Sequence, residues 1–333
     1  DKEIVEKLSG ILANAVLSFT GKMVKSEYVK QGGKEFLPEV VEVLSSADAI
    51  PIDSSANIDT RLDYRWIDLR SEKNNLMFQV QTAFVTGMRE FLIKEDFTEI
   101  HTPKLIGAAS ESGSDVFEVK YFDRKAYLAQ SPQFYKQMAM ASGIERIFEV
   151  APAFRAENSN TNRHTTEFTS FDLEFSYIDS YEDVMDMEER LLVAGLEKVK
   201  EKYEDKIKEL FGTEVIVPKR PFPRINLQDL YKELESRYGY NIPEHDIGDM
   251  NAEAEKLTSK YAMEEFGHEF IFVTGFTKTK RAFYHMRKND IPEGYDLIWR
   301  GTEITTGAQR EHRYEILKQQ AEEKGLGRDV EFY

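Results

Sequence analysis

Residues 146–178 read RIFEVAPAFRAENSNTNRHTTEFTSFDLEFSYI, two strand-like runs around a polar loop. The incoming run ends at Phe154. The outgoing run, 165–178, alternates: Phe171, Leu173, Phe175 and Tyr177 share one face, and Ser170, Asp172, Glu174 and Ser176 share the other. A sheet that is apolar on one side and lined with Ser, Asp and Glu on the other predicts the floor of a polar site. The loop brings Arg155, Glu157, Arg163 and His164 to the mouth of that site. Guanidinium groups meet phosphate and carboxylate oxygens as a rigid fork, so two on one hairpin predict a polyanionic ligand. An isolated R-x-E is more often a solvated hairpin, and the rest of the chain has to decide between the two.

A chain of 333 residues with 41% hydrophobic content can bury a large core, divided into one big domain and a smaller one. It has no cysteine, which excludes a disulfide framework, a thiolate metal site and a thiol nucleophile. No apolar run is long enough to span a membrane, and the charged opening DKEIVEKL is not a secretory signal, so a cytoplasmic protein is expected. The net charge of −16 counts against casual nucleic-acid binding. Local basic faces remain open: Lys278, Lys280 and Arg281 form one cluster, Lys219 and Arg220 another, and either also fits ordinary solvated charge. There is no G-x-x-x-x-G-K-[ST] and no G-x-G-x-x-G, so neither a P-loop nor a Rossmann nucleotide site is supported.

Residues 1–50 combine an amphipathic helix over 2–12 with the strand-like AVLSFTGKMVKS and EFLPEVVEVLSS around the turn QGGK. A helix among short strands matches part of an OB-type β-barrel. Residues 51–70, rich in Asp and Ser, read as a hinge. A helix is expected over 75–95, with Val80, Phe84, Met88, Phe91 and Leu92 along one side, and a longer charged helix over 181–210. PKRPFPRINLQDL restarts a strand and a helix, and 238–270 is acidic and helical without recognisable chemistry. EFIFVTGF (269–276), RAFYHM (281–286) and YDLIWRGTEITTG (295–307) read as strands. Strands mixed with helices, without βαβ alternation, predict an α+β domain over 71–333, an antiparallel sheet flanked by helices.

FRAE followed by RHTTEF resembles motif 2 of the class II aminoacyl-tRNA synthetases. Upstream, MREFLIKEDFTEIHTPKL (88–105) resembles motif 1, with Asp96 where a glycine is usual. Between and beyond them come SESGSDVF (110–117), LAQSPQFYKQMAMASG (128–143) and YDLIWRGTEITTGAQREHR (295–313). This ordered set is similar to the aspartyl-tRNA synthetase family, in its archaeal and eukaryotic branch.

The resemblance implies a class II catalytic domain preceded by a partial OB-type anticodon-binding domain. It implies ATP as co-substrate, L-aspartate and tRNA as partners, Mg²⁺ as cofactor, and a homodimer built on the 75–95 helix and the strand after it. Such chemistry needs no side-chain nucleophile, because the substrate carboxylate itself attacks the α-phosphorus and catalysis rests on alignment and charge neutralisation. Arg155 would touch the α-phosphate and the amino-acid carboxylate, Glu157 would read the adenine amino group and Phe168 would stack on the ring. Thr165 joins the ATP set, and Arg163 and His164 would meet the outer phosphates. The aspartate set is Glu111, Ser131, Gln133, Lys136, Arg155, Asp172, Thr306 and Arg310. Lys136 and Arg310 would hold the side-chain carboxylate, Asp172 would orient Lys136, and Glu111 would take the α-ammonium. A neutral amide would leave both cations underpaired, at roughly 1–3 kcal/mol or more. Asparaginyl relatives lack the lysine, so Lys136 implies aspartate. Glu303, which also belongs to the ATP set, Thr306 and Asp296 would ligate the metal. Asp296 and Glu303 lie seven apart, an odd interval that needs a bulge near Gly301 or an Asp296 that ligates through water.

The resemblance also places motif 3, with a further ATP-binding arginine, beyond the final GLGRDVEFY, so a catalytic domain lacking that motif is expected. Alternatives are a tRNA-independent ligase making asparagine, which the OB-like segment disfavours, and a non-catalytic synthetase-like binding protein, which retention of Arg155, Glu303, Lys136 and Arg310 disfavours. A nucleic-acid-binding OB protein with an inert second domain is disfavoured by the charge of −16.

Overall fold

The computed structural model describes residues 2–29, 32–53, 55–107, 116–156, 165–328 and 330–333. The chain forms two compact units, Asp1–Gln79 and Val80–Tyr333. In the first, helix α1 (Lys2–Leu8) precedes an antiparallel ribbon of β1 (Val16–Lys25) and β2 (Lys34–Ser45). The helix ends earlier than the sequence pattern implied, and the Lys7 ammonium donates to the carbonyl of Val41 on β2 at 2.7 Å. A bulge between Thr20 and Gly21 brings β1 so close to Leu37 that a side chain at Gly21 would strike its carbonyl. Two short helices, Ile58–Asp63 and Arg65–Asp68, are tied by Arg61 and Arg65 to the buried carboxylate of Asp68.

Helix α2 (Glu72–Lys94) carries the unit boundary within it and leads to β3 (Thr98–Glu99). A short three-stranded sheet follows (Leu105–Ile106, Glu118–Tyr121, Arg124–Leu128), then α3 (Gln133–Ala141), β4 (Arg146–Phe154) and β5 (Glu167–Phe175). Strands β3, β4 and β5 form one sheet in that order, with β3–β4 parallel and β4–β5 antiparallel. The outgoing strand stops at Phe175, short of the alternation read from the sequence: Tyr177 turns to φ 60° and is 88% exposed. The chain is there entering the Ser180 cap of α4 (Tyr181–Phe211), where Ser180 and Asp183 close a capping box.

After α4 come β6 (Arg224–Asn226), α5 (Leu227–Tyr238), α6 (Ala252–Phe266), β7 (Phe270–Thr274), β8 (Gly294–Trp299), β9 (Thr302–Ala308) and α7 (Tyr314–Glu323). Their sheet runs β9–β8–β7–β6, antiparallel except for the short β6–β7 pair. Strand β7 is apolar and buried from Phe270 to Val273, with both its faces covered. Phe270 and Phe272 join a core with Leu92, Phe148, Met185, Leu191 and Leu297, while Ile271 and Val273 join a second with Leu230, Ala254 and Ile298.

RAFYHM does not form a strand; only an isolated bridge links His285 to Arg310. The Gln320 side chain of α7 donates to the carbonyls of Phe283 and His285, so a side chain satisfies this backbone in place of a ladder. Among the described residues no helix is long and apolar enough to cross a membrane.

Candidate active site

Register decides which side chains of the β4–β5 hairpin face the site. Ala153 opposes Phe168, Ala151 opposes Ser170, Glu149 opposes Asp172 and Ile147 opposes Glu174. Phe168, Ser170, Asp172 and Glu174 therefore share one face, as the alternation predicted, while Phe171, Leu173 and Phe175 pack on the core. Arg155 continues from β4, its N–H donating to the carbonyl of Thr166 at 2.9 Å, and its guanidinium lies 5.3 Å from the centre of the half-buried Phe168 ring. Thr165 is exposed at the start of the outgoing arm. Glu111, Glu157, Arg163 and His164 lie outside the described residues.

Helix α3 presents Gln133 and Lys136, one turn apart and both about 4% exposed, to that face. The Lys136 ammonium donates to Asp172 Oδ1 at 3.0 Å and to the Leu173 carbonyl at 3.4 Å, and lies 3.6 Å from Glu174. Arg310, just beyond β9, donates to Glu174 Oε1 at 3.2 Å and to Gln133 Oε1 at 3.0 Å. Ser131 Oγ accepts the Gln133 N–H at 3.1 Å and so helps start the helix. Burial works against ionisation of Asp172, yet Lys136, the Ser170 hydroxyl and Lys104 hold its carboxyl below the usual range. Burial likewise opposes the charge on Arg310, and Glu174 together with Tyr284 and Tyr333 outweighs it, raising its pKa.

Behind Asp172, the side chain of Glu149 is 1% exposed and accepts from the Thr102 N–H at 2.6 Å, its hydroxyl at 2.8 Å and Lys104 at 3.1 Å. The floor therefore contains three carboxylates and three cations. Reading the sequence found Lys136, Arg310 and Asp172 in it. It missed Glu174 as the partner of Arg310, although Glu174 stands two residues beyond Asp172 on the same face, and it missed the Lys104–Glu149 pair.

Strands β8 and β9 form a hairpin closed by Arg300 and Gly301, both in the left-handed region at φ 49° and 83°. Asp296 and Glu303 accordingly stand on two antiparallel strands, with a turn at Gly301 where the sequence reading asks for a bulge there or for ligation through water. Asp296 pairs with Thr306, and a bulge between Leu297 and Ile298 in the register sets Glu303 opposite Ile298, on the face of Asp296 and Thr306. Glu303 Oε1 is 3.3 Å from the Thr306 hydroxyl, which also donates to Asp296. Arg281 donates to both oxygens of Asp296, at 2.8 and 2.5 Å. Withdrawal from bulk water and the nearby charge of Asp296 push Glu303 up to about 8 even though its side chain opens onto the cleft; Arg281 pulls the other way.

On the opposite face of the hairpin, Glu188 of α4 accepts from the hydroxyls of Tyr295, at 2.7 Å, and Thr305; burial pushes it up to about 7.

Two carboxylates and a hydroxyl set against one guanidinium are a donor set that fits a hard divalent cation. Among the described residues no group of three or more His, Cys, Asp or Glu could hold a metal, so the set suits an ion that brings water and substrate phosphates as its other ligands.

The basic clusters of the sequence are largely neutralised locally. Lys278 pairs with Asp290 at 2.5 Å, Lys280 donates to the His245 carbonyl at 3.0 Å, Arg281 pairs with Asp296, and Arg220 pairs with Asp186 and Glu189.

Arg155, Phe168, Ser131, Gln133, Lys136, Asp172, Glu303, Thr306 and Arg310 all line one cleft of about 1790 Å³. A nucleotide and an amino acid can share such a space, within reach of both arginines and both carboxylate groups.

Residues 57–332 match the family of class II tRNA synthetases (D, K and N). The chain is 41% identical over 343 aligned positions to the aspartate–tRNA(Asp) ligase of Pyrococcus abyssi, covering 99% of this chain and 76% of that protein. It is 41% identical over 302 positions to the aspartate–tRNA(Asp/Asn) ligase of Thermus thermophilus, covering 89% and 70%. Among solved structures, the asparaginyl-tRNA synthetase of Pyrococcus horikoshii with asparaginyl-adenylate superimposes with TM-score 0.85 at 31% identity, covering 99% of this chain and 76% of that one. The aspartyl-tRNA synthetase of Entamoeba histolytica gives TM-score 0.80 at 30% identity, covering 99% and 72%. Motif order, site geometry and these similarities agree: the chain belongs to the class II tRNA synthetases of the D, K and N group.

Proposed function

We propose that this protein is an aspartate–tRNA ligase, which activates L-aspartate with ATP to aspartyl-adenylate and transfers the aspartyl group to the 3′ end of tRNA. The observation that carries the choice of amino acid is Lys136, buried beside Arg310 in the cleft that also holds Arg155 and Phe168. Lys136 and Arg310, although paired with Asp172 and Glu174, present only N–H donors, which match the two acceptor oxygens of a side-chain carboxylate; an amide would set an N–H donor of its own against one of them. That separates aspartate from asparagine, although asparaginyl-tRNA synthetases are among the structural neighbours.

In this reading Lys136 and Arg310 grip the side-chain carboxylate, with Gln133, Ser131 and Asp172 fixing their orientation. Arg155 lies across the reacting centre, between the α-carboxylate and the α-phosphate. Phe168 stacks on the adenine, and Thr165, Glu157, Arg163 and His164 complete the ATP set. Glu111 takes the α-ammonium. The substrate's carboxylate oxygen attacks the α-phosphorus and pyrophosphate leaves, while Arg155 neutralises charge gathering on the phosphate. Glu303 and Thr306 would hold Mg²⁺, with Asp296 behind them; when bound, the ion supplies further charge neutralisation at the phosphates. The N-terminal ribbon belongs to an anticodon-binding OB domain, the second unit is the catalytic domain, and the protein works as a homodimer in the cytoplasm. Ile93 on α2, 61% exposed, is apolar surface that a second copy would cover.

ATP–pyrophosphate exchange tests this directly: aspartate supports exchange without tRNA and asparagine does not. Exchange with asparagine alone would overturn the assignment. Arg155→Ala is expected to lower exchange turnover by about 10²-fold while changing the KM for ATP far less. Unchanged turnover with only a raised KM would remove Arg155 from the reacting centre.

A further inference from the structure

Arg281 belongs to no part of the mechanism above, yet its position ties it to the β8–β9 carboxylates. Its side chain is only 11% exposed, unlike those of its basic neighbours in sequence. Its two terminal nitrogens each donate to a different oxygen of Asp296, and one also donates to the Thr306 hydroxyl at 3.2 Å. The guanidinium carbon sits 3.6 Å from the centre of the Phe276 ring, a stack that fixes its plane. Its Nε–H is buried and has no acceptor among the described residues. A surface arginine has no reason to accept that loss; one clamped in place by its fork does.

We propose that Arg281 is a positioning residue: a cation built into the chain that clamps Asp296 and so reserves inner divalent-metal ligation for Glu303 and its neighbour Thr306. The proposal rests on the Mg²⁺ reading of Glu303 given above and goes beyond it by assigning Asp296 to the arginine.

Inner ligation of Mg²⁺ demands a bare oxygen lone pair in near-octahedral geometry. Asp296 aims both oxygens at the guanidinium and takes the Thr306 hydroxyl as well. Glu303 makes no ion pair among the described residues and faces the cleft. An arginine remains charged at any working pH, so the clamp does not release Asp296 by losing its proton. A lysine would keep the charge but lose the fork and the planar stack.

The test uses Mn²⁺ in place of Mg²⁺, on the whole chain saturated with α,β-methylene-ATP. Electron paramagnetic resonance reads free Mn²⁺ and water-proton relaxation reads its inner-sphere waters. Arg281→Met should bind Mn²⁺ about tenfold tighter and lose one inner-sphere water, because Asp296 becomes a ligand. Adding Asp296→Asn should restore the parental values of both. Arg281→Lys, with the charge unchanged, should also lose one water, which separates ligand exchange from simple electrostatics and keeps the test open if the Met variant does not fold.

Parental affinity and water count in folded Arg281→Met, or tighter binding with an unchanged water count, would overturn the role of Arg281. Glu303→Gln is the control for the underlying reading and should weaken Mn²⁺ by about tenfold or more. If it binds Mn²⁺ as the parent does, the metal reading fails together with the reservation for Glu303. If it weakens binding while the Arg281 variants behave as the parent, only the arginine's role fails.

Discussion

The pocket around Lys136 and the carboxylate cluster around Glu303 open on the same cleft but are charged in opposite ways. In the first, Lys136 and Arg310 already face Asp172 and Glu174, so the cations are held by their own counter-ions before any ligand arrives. In the second, the one arginine pairs with Asp296 and leaves Glu303 without an ion pair among the described residues, and the like charge next to Glu303 is part of what drives its pKa to about 8. A balanced cluster is rigid and selects by shape and hydrogen bonding. An unbalanced one is left to be completed from outside by a cation. The same residue types therefore form a neutral cluster in one place and a cluster with excess negative charge in the other.

Lys136→Ala should have the largest effect. Aspartate-dependent exchange should fall by about 10³-fold, since unpairing a buried charge costs roughly 3–5 kcal/mol and each 1.4 kcal/mol is tenfold. Full exchange in a folded variant would show that the pocket does not depend on its balance.

Next comes a stability cycle. Lys136→Met alone strands Asp172 and Glu174, whereas Lys136→Met with Asp172→Asn removes both ends of one pair. Chemical denaturation should find the double variant about 1–3 kcal/mol more stable than the single changes predict by addition, with activity still absent. Strict additivity would break the comparison on the side of the pocket.

The two remaining tests concern pH. Glu188 is buried and titrates near 7 in the folded chain against an ordinary 4.5. Between those values the folded state binds more protons than the unfolded state, so the parent loses stability as pH rises from about 4.5 through about 7. Glu188→Gln removes that loss, and its advantage in thermal melts should be absent near pH 4.5 and complete above pH 7, roughly 3 kcal/mol at most. A pH-independent difference would mean that folding leaves the Glu188 pKa unshifted.

Glu303→Gln follows the same sign with its window running up to about 8. The gap should be smaller, because this side chain opens onto the cleft and water screens it. Mg²⁺ should close the gap by favouring the parent's ionised form. A gap that Mg²⁺ leaves untouched would cancel the contrast between the two regions.

Much of the pocket could be read without coordinates. Period-two alternation in FTSFDLEF assigns Phe168, Ser170, Asp172 and Glu174 to one face, and one helical turn places Gln133 beside Lys136. Both follow from backbone geometry, which is local and repeats along the chain. Some limits were local as well: the alternation ran on to Tyr177, but the helix cap at Ser180 had already turned the chain away.

Which charges meet is another matter, because partners far apart in sequence are joined only by packing. Glu174 finds Arg310 because β5 and the end of β9 border one cleft. Glu303 comes round to the side of Asp296 through a left-handed turn and a bulge that seven residues of sequence do not disclose. Arg281 reads as a surface charge beside two lysines until Phe276 and Asp296 close over it. Sequence by itself determined the class of fold, the family and the cations proposed to recognise the substrate, since these rest on periodicity and ordered motifs. Tertiary structure alone decided the balance of charge at each site, since electrostatic energy depends on distance in space and on exclusion of water, and neither is a property of one segment.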